Sequence, residues 1–354
     1  MGRWIRSIGS IPTSEAFGVD TEQAILDVGL VAIGRNEGER LKGCLRSVVG
    51  KVGHVVYVDS GSTDDSVAFA HSLGVHVVAL DMSVPFTAAR ARNAGFERLK
   101  NEMPNLAYVQ FVDGDCLVVD GWIAGARAHL QANPNVAIVA GRRRERYPEA
   151  SPFNRLADME WNTPIGITGE VGGDALVEAK AFVRVGGYDP TMIAGEDPEL
   201  CLRLRQSGRE VERLDAEMTL HDAAIFHTKQ WWKRTVRAGH AYAESAHMHG
   251  SPPDSYRVNE LRSILFWGGA IPAAAVGLAP LTLGLSLAGG VGCYGVLWKR
   301  VYDHRRKEEE SRQDAALYAT GIAAGKVPEM QGALQYAYNR FVRGQRSALI
   351  EYKA

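Results

Sequence analysis

The sequence YVQFVDGDCLV, residues 108–118, decides the fold, because its apolar run ends abruptly at Asp113, Gly114 and Asp115. This pattern predicts a buried strand that carries an acidic turn to the carboxyl edge of a sheet, where open α/β sheets bind ligands. Paired carboxylates suit a hard divalent cation such as Mg2+ or Mn2+. Substrate phosphates commonly fill the remaining coordination positions of such a cation. For the tripeptide alone, a plain polar turn after a strand is the alternative interpretation.

Two strand–turn–helix units precede this stretch. The first has a strand over residues 28–33, a polar turn, and a helix whose apolar residues recur at helical spacing. The second has a strand over residues 54–59, a helix over residues 65–73 and a further strand over residues 75–80. Strands that alternate with helices at this spacing predict an α/β fold with a mostly parallel sheet.

Polar residues follow the ends of these strands and are expected to meet in one cleft. Asp59 and the hydroxyl-rich turn that begins at Ser60 suit a base or a ribose, although such residues also cap helices. A helix after the third strand brings together Arg90, Arg92 and Asn93. Arginine side chains match phosphate oxygens, but a basic helix face is often simply solvated.

Taken together, these motifs resemble a known family. The order VAIGRNEGERLKGCLRSV (31–48), VVYVDSGSTDDS (55–66), ARARNAG (89–95) and FVDGD (111–115) is similar to the nucleotide-sugar-binding half of family 2 glycosyltransferases, which are inverting enzymes of GT-A fold. GGYD (186–189) and GEDPEL (195–200) continue the resemblance, which covers roughly residues 28–249. It implies a nucleotide-diphosphate sugar as donor, with Mg2+ or Mn2+. Ser60 departs from the commonest pattern, which often has a second aspartate there.

The resemblance also implies roles for individual residues. Asp197 is the expected catalytic base, and Glu196 is its less favoured neighbour. Asp115 is the expected metal ligand, with Asp113 or the downstream His221 as further ligands. The expected donor-binding residues are Asn36, Asp59, Ser60, Arg90, Arg92, Asn93, Asp113 and Gly114, and the expected acceptor-binding residues are Trp161, Gly172, Gly173 and Asp174. The alternatives are a helix cap for Asp197, a structural hydrogen bond for His221 and core packing for Trp161.

Residues 264–298 form a segment of 35 residues without a charged side chain. Two helical spans of about 17 residues would be only just long enough for a membrane core about 30 Å thick. Arg262 before the segment and Lys299 and Arg300 after it favour a hairpin with both ends cytoplasmic. A buried helical pair and a re-entrant hairpin are the alternatives. Beyond it, the pattern predicts two helices, over residues 314–326 and 329–343.

The composition narrows the class of protein further. A formal net charge of −1 gives no indication of a nucleic-acid partner, and the local basic cluster at 142–146 either faces an anionic acceptor or is a solvated loop. The four cysteines show no CxxC spacing, which argues against a zinc site or a disulfide framework. The first residues lack the apolar core of a signal peptide, so export is not expected.

The sequence therefore predicts a metal-dependent, inverting, membrane-associated glycosyltransferase that adds one sugar to a lipid-linked or saccharide acceptor. The expected setting is exopolysaccharide or capsule synthesis at the cytoplasmic face of a bacterial inner membrane. The expected organisation is an N-terminal segment (1–27), a GT-A domain (28–250), a linker (251–263), the apolar hairpin (264–298) and a helical tail (299–354). A nucleotidyltransferase and a non-catalytic sugar-nucleotide-binding scaffold are the alternative functions.

Overall fold

A computed structural model of the protein describes residues 24–345, 350 and 351, so most of the predicted N-terminal segment lies outside the described residues. Within them, nine strands form one sheet. They are β1 (Ile25–Gly34), β2 (Val52–Asp59), β3 (His76–Ala79), β4 (Tyr108–Asp113), β5 (Cys116–Val118), β6 (Val136–Glu145), β7 (Gly166–Ile167), β8 (Ala175–Glu178) and β9 (Glu210–His221).

The described part of the chain contains twelve α-helices. They are α1 (Glu39–Arg46), α2 (Ser66–Ser72), α3 (Ala88–Glu102), α4 (Trp122–Ala132), α5 (Pro152–Glu160), α6 (Ala179–Arg184), α7 (Glu196–Gln206), α8 (Thr228–His249), α9 (Val258–Ile264), α10 (Ile271–Gly277), α11 (Leu285–Lys307) and α12 (Arg312–Ala337). A short 3-10 helix covers Pro148–Ala150, and π-helical turns cover Leu265–Ala270 and Tyr338–Arg343.

The sheet has the order β3-β2-β1-β4-β8-β6-β9-β5, with β7 paired to β9. The four strands from β3 to β4 are parallel, as predicted. The other half is mixed, because β8 runs antiparallel to β4 and β6, and both β5 and β7 run antiparallel to β9. The expectation of a mostly parallel sheet is therefore wrong for this half, whose strands the sequence prediction did not include. The sheet with its helices is a mixed α/β arrangement.

The acidic turn divides the stretch 108–118 into two strands that lie in different parts of the sheet. Gly114 makes this possible, since a Cβ there would lie 2.9 Å from the carbonyl oxygen of Ile33, to which its own N–H donates (2.8 Å). Parallel neighbours need a connection of a dozen or more residues, whereas only two residues separate β4 from β5. The chain instead reverses, and β5 places Cys116 opposite His221 of β9.

The strand register brings the predicted carboxylates to one edge. Gly34 of β1 pairs with Asp59 of β2, and Ile33 pairs with Asp113 of β4, so these three strands end side by side. Helix α3 packs closely behind them, because a Cβ at Gly95 would lie 2.4 Å from the Val31 side chain. This packing sets the position of the polar residues at the start of α3.

Helix α12 is continuous where two separate helices were predicted, so that prediction is wrong. Pro328 lies inside α12 and is buried, although a proline in a helix interior costs about 3 kcal/mol. Close packing against α8 offsets this cost. A Cβ at Gly332 would lie 1.9 Å from the carbonyl oxygen of Val236, and one at Gly239 would lie 2.0 Å from that of Glu329.

The apolar segment folds as a π-helical turn, α10, a turn at residues 278–284 and α11. The two sides touch, since the Ser286 hydroxyl donates to the carbonyl of Ala275 (2.7 Å). Among the described helices, none combines the length and the apolar character that a membrane crossing requires, so two spans are not supported. A buried helical pair is not supported either, because α11 contains no buried residue.

Candidate active site

The turn after β2 forms one rim of the cleft. Asp59 accepts the N–H groups of the second and third residues after it (3.0 and 2.9 Å) and the hydroxyl of Tyr57 (2.8 Å). Asn36, at a positive φ of 54°, accepts the N–H of Thr63 (2.7 Å). Ser60 is buried behind them. These bonds fix the shape of the rim that the sequence predicts to hold the nucleotide.

Two of the residues predicted to bind the donor instead hold neighbouring loops. The Arg90 guanidinium donates to the backbone carbonyls of residues 81, 84 and 85 at 2.8–2.9 Å. The Asn93 amide donates to the carbonyl of Tyr188 (2.8 Å) and accepts its N–H (3.0 Å). Both side chains therefore order loops beside the cleft through hydrogen bonds to backbone groups.

Arg92 joins the two acidic motifs. Its guanidinium donates to Asp113 Oδ1 (2.9 Å), to Glu196 Oε1 (2.8 Å) and to Asp197 Oδ1 (3.1 Å), and its side chain is 3% exposed. Gly173 leaves the room that this arrangement needs, because a Cβ there would lie 2.2 Å from Arg92 Nη2. A single buried arginine thus fixes the end of β4 relative to the start of α7.

Helix α7 presents its first two acids differently. Gly195, at a φ of 80°, precedes the helix, so Glu196 and Asp197 occupy its first turn. The Glu196 side chain is 6% exposed, whereas that of Asp197 is 18% exposed. Burial raises the pKa of Asp197 to about 7 against the opposing effect of Arg92, and Glu196 and Asp113 add to the rise. A carboxylate with this pKa is suited to general-base chemistry near neutral pH.

Asp113 is held as a carboxylate by two arginines. Its second oxygen accepts from Arg143 Nη2 (2.8 Å). Burial opposes ionisation, but Arg92 and Arg143 hold the pKa of Asp113 well below its usual range. Asp174 supports this pair, since it accepts from Arg143 Nε (2.9 Å), the Thr219 hydroxyl (2.7 Å) and the N–H of Asp113 (3.1 Å). At 1% exposure, Asp174 positions these residues rather than facing an acceptor.

Asp115, Cys116 and His221 form a buried cluster whose potential ligand atoms lie within 4.8 Å of one another. Asp115 Oδ1 is 3.3 Å from His221 Nε2, and Glu145 Oε2 is 3.9 Å from the other ring nitrogen. Burial raises the pKa of the Cys116 thiol, which leaves the carboxylate and the imidazole as ligands. The carboxylate oxygen suits Mn2+ or Mg2+, and the imidazole nitrogen suits Mn2+ better than Mg2+.

Trp161 covers the region between Arg143 and His221. Its ring meets that of His221 edge-on with centroids 4.6 Å apart, and the Arg143 guanidinium lies 5.2 Å from its centroid. Nothing lies within 4 Å of a Cβ built at Gly172, so this side of the cleft is open. The structure thus leaves an aromatic surface and free space beside the candidate cation ligands.

Sequence reasoning missed Arg143 and Glu145 as members of the site. It treated the run at 142–146 as a loop, whereas β6 extends through Glu145. Alternate residues of a strand share a face, so Arg143 and Glu145 point to the cleft side while Arg144 pairs with Glu217 at the surface (2.6 Å). If a strand had been predicted here, the alternation of its side chains would have placed Arg143 and Glu145 on one face of the sheet and Arg144 on the other.

Comparison with known proteins shows which families the part of the chain around this cleft is similar to. Residues 31–173 match the family model of Glycosyl transferase family 2, and residues 155–228 match that of the N-terminal domain of galactosyltransferase. By this match the chain is similar to glycosyl transferase family 2 over residues 31–173, the family that its sequence motifs resemble.

Individual relatives agree with this assignment. The chain is 27% identical over 241 residues to the pre-mycofactocin glycosyltransferase of two Mycobacterium tuberculosis strains, an alignment that covers 63% of this chain and 48% of theirs. The chain thus spans about half the length of the curated relatives it matches. Its fold is similar to that of a mannosyltransferase from Pyrobaculum calidifontis in complex with GDP-Man and Mn2+, with a TM-score of 0.57, 15% identity, and coverage of 90% of this chain and 89% of that one.

Proposed function

We propose that the protein transfers one sugar from a nucleotide-diphosphate sugar to an acceptor hydroxyl, with inversion at the anomeric carbon and with Mn2+ or Mg2+ as cofactor. The observation that carries this proposal is Asp197, a partly exposed carboxylate with a pKa raised to about 7, which Arg92 ties to Asp113 at the strand edge. The family 2 domain supports the reaction class. The Mn2+ and GDP-Man named for the mannosyltransferase support the kind of donor and cofactor.

In the proposed mechanism, Asp197 accepts the proton of the acceptor hydroxyl as its oxygen attacks the anomeric carbon and the nucleoside diphosphate leaves from the opposite face. A single displacement of this kind inverts the configuration. Asp115 and His221 would hold the divalent cation, which supplies positive charge for the departing diphosphate. Arg92 fixes the base relative to the donor edge, so that the reacting groups meet in one orientation.

The proposed donor binding can be tested by thermal unfolding with a panel of nucleotide-diphosphate sugars. The matching donor with Mn2+ should stabilise the protein, because a ligand at about 100 times its Kd adds about 2.7 kcal/mol to the free energy of unfolding. The same mixture with a candidate acceptor should release nucleoside diphosphate, whereas a nucleotidyltransferase would release pyrophosphate, and only from a nucleoside triphosphate and a sugar phosphate.

Asp115→Asn is the matched control for the cation. It keeps the size of the side chain but loses the charge, and the Mn2+-dependent part of the stabilisation should disappear. If no donor in the panel raises the unfolding temperature of the wild-type protein, the proposed function is wrong.

We also infer that the protein acts at a lipid surface, on a lipid-linked or saccharide acceptor. Leu281, Leu283 and Leu285, at the turn between α10 and α11, are 82%, 95% and 75% exposed, in a segment without a charged residue. Helix α11 ends in a basic turn, His304 to Lys307, which suits anionic headgroups. The apolar turn and the basic turn lie at opposite ends of the 23-residue helix α11, about 30 Å apart, so a helix pair lying along the membrane surface would bring both into contact with it. The setting we propose is cell-surface polysaccharide synthesis at the cytoplasmic face of a bacterial inner membrane.

Flotation with vesicles tests this surface. The wild-type protein should float with vesicles that contain phosphatidylglycerol and should float less well at high salt, which screens the basic turn. Replacing Leu281, Leu283 and Leu285 together by aspartate should abolish flotation. Val183→Asp, at a half-exposed apolar position on α6, should float like the wild type. Equal flotation of the triple variant and the wild type would exclude the turn as the membrane contact.

A further inference from the structure

A second group of potential metal ligands lies away from the cleft. His54 belongs to β2, His76 is the first residue of β3, and Glu102 is the last residue of α3. His54 precedes Asp59 on β2 by five residues, which corresponds to about 17 Å of extended strand. The group therefore lies towards the amino ends of the strands, whereas the cleft lies at their carboxyl ends.

The potential ligand atoms of this group lie close to one another. The Nδ1 atom of His76 is 3.0 Å from Glu102 Oε1, and the Nδ1 atom of His54 is 3.8 Å from Glu102 Oε2. All three ligand atoms lie within 4.8 Å of one another. A tetrahedral Zn2+ with ligands at about 2.0–2.2 Å places neighbouring ligand atoms about 3.4 Å apart. The two nitrogen–oxygen separations, each to a different oxygen of Glu102, lie on either side of that value.

One carboxylate oxygen of Glu102 is available to bind a cation. Glu102 Oε2 is buried and accepts no hydrogen bond from the residues that the structure describes. Buried carboxylate oxygens normally have a partner, because an unsatisfied one keeps its full desolvation cost. The two histidine side chains are 37% and 39% exposed, so a cation from solvent can reach the centre of the group and keep a water as its fourth ligand.

We propose that His54, His76 and Glu102 bind a divalent transition-metal cation of the Zn2+ type, separate from the cation of the cleft. Two imidazoles and one carboxylate suit Zn2+, whereas Mg2+ and Ca2+ prefer all-oxygen sites. Arg98 is the competing cation, since its guanidinium pairs with Glu102 and lies 3.5 Å from the His76 ring nitrogen. Its side chain is 49% exposed and can turn to solvent when the metal binds.

The structural consequence of this site is a link between three elements. Strand β3 has four residues, lies at the edge of the sheet and pairs with β2. A cation held by β2, β3 and α3 would fasten this edge strand to the strand that delivers Asp59 to the cleft. Binding to the folded state alone would then raise the temperature of unfolding.

Zn2+ titration of the full-length protein, followed by calorimetry and thermal unfolding, tests the proposal. The titration uses an Asp115→Asn/His221→Gln background, so that the cleft cluster does not contribute. We expect about one equivalent of Zn2+ to bind with micromolar or tighter affinity and to raise the unfolding temperature, while Mg2+ at the same concentration has no effect. Affinity should increase with pH, because Zn2+ competes with protons for imidazole.

Substitutions at the site and elsewhere complete the test. His76→Gln and His54→Gln should each weaken Zn2+ binding at least tenfold, and Arg98→Gln should strengthen it. His129→Gln, at a histidine that pairs with Glu212 (2.8 Å), should leave Zn2+ binding unchanged. Binding only at millimolar Zn2+, or equal binding by His76→Gln and the background protein, would overturn the proposal. Neither outcome affects the proposed sugar transfer, which depends on the cleft.

Discussion

Replacing Asp197 by asparagine should lower kcat about 10²- to 10⁴-fold, because the acceptor hydroxyl would lose its general base. Donor binding should be retained, since Asp197 contacts Arg92 and not the predicted nucleotide rim. The asparagine side chain keeps the size of the aspartate and still offers Arg92 an oxygen, so the fold should be preserved. Turnover with saturating donor and acceptor, together with donor-dependent thermal stabilisation, measures the two effects separately.

Glu196→Gln is the matched comparison. Glu196 also accepts from Arg92 but is buried more deeply, at 6% side-chain exposure, so it should retain at least tenfold more turnover than Asp197→Asn. A larger loss in Glu196→Gln than in Asp197→Asn would transfer the role of base to Glu196. The wild-type kcat/KM should fall about tenfold per pH unit below about 7, where Asp197 becomes protonated, and level off above it.

The position of the cleft could be predicted from the sequence, whereas the partners of its residues could not. Parallel strands end at one edge, so Asp59 and Asp113 were expected to lie together, and the register confirms it. Arg90 and Arg92 look equivalent in the sequence, but residues two apart on a helix face different sides. Arg92 shares the buried stripe of α3 with Phe96 and Leu99, and helical spacing would have identified it as the buried arginine.

The sequence could not predict which carboxylates Arg92 binds, for a different reason. Glu196 is 104 residues away, and no local pattern specifies which distant helix start packs against a given arginine. The same limit explains α12, where Pro328 predicted a break. The close approach of α8 and α12 at Gly239 and Gly332 outweighs the local cost of the proline.

Replacing Arg92 by methionine should destabilise the protein by about 3–5 kcal/mol, because removing one partner of a buried ion pair leaves the other charges uncompensated. Asp113 would keep its hydrogen bond from Arg143. Glu196 and Asp197 would lose the guanidinium group that donates a hydrogen bond to each of them. Chemical denaturation at pH 7 measures this loss. Arg90→Met, two positions earlier on the same helix, is the control and should cost less than about 1 kcal/mol, since Arg90 holds exposed backbone carbonyls.

The pH dependence of this variant identifies the cause of the loss. Without Arg92, the pKa of Asp197 in the folded state should lie further above its unfolded value, because Arg92 opposes the rise that burial causes. The stability that Arg92→Met loses relative to the wild type should therefore be smallest below the unfolded pKa of about 4 and should grow as the pH rises towards neutrality. Arg92→Met/Glu196→Gln removes one of the uncompensated charges, so it should recover part of the stability but none of the turnover. If the double variant is no more stable than Arg92→Met, packing rather than charge accounts for the loss.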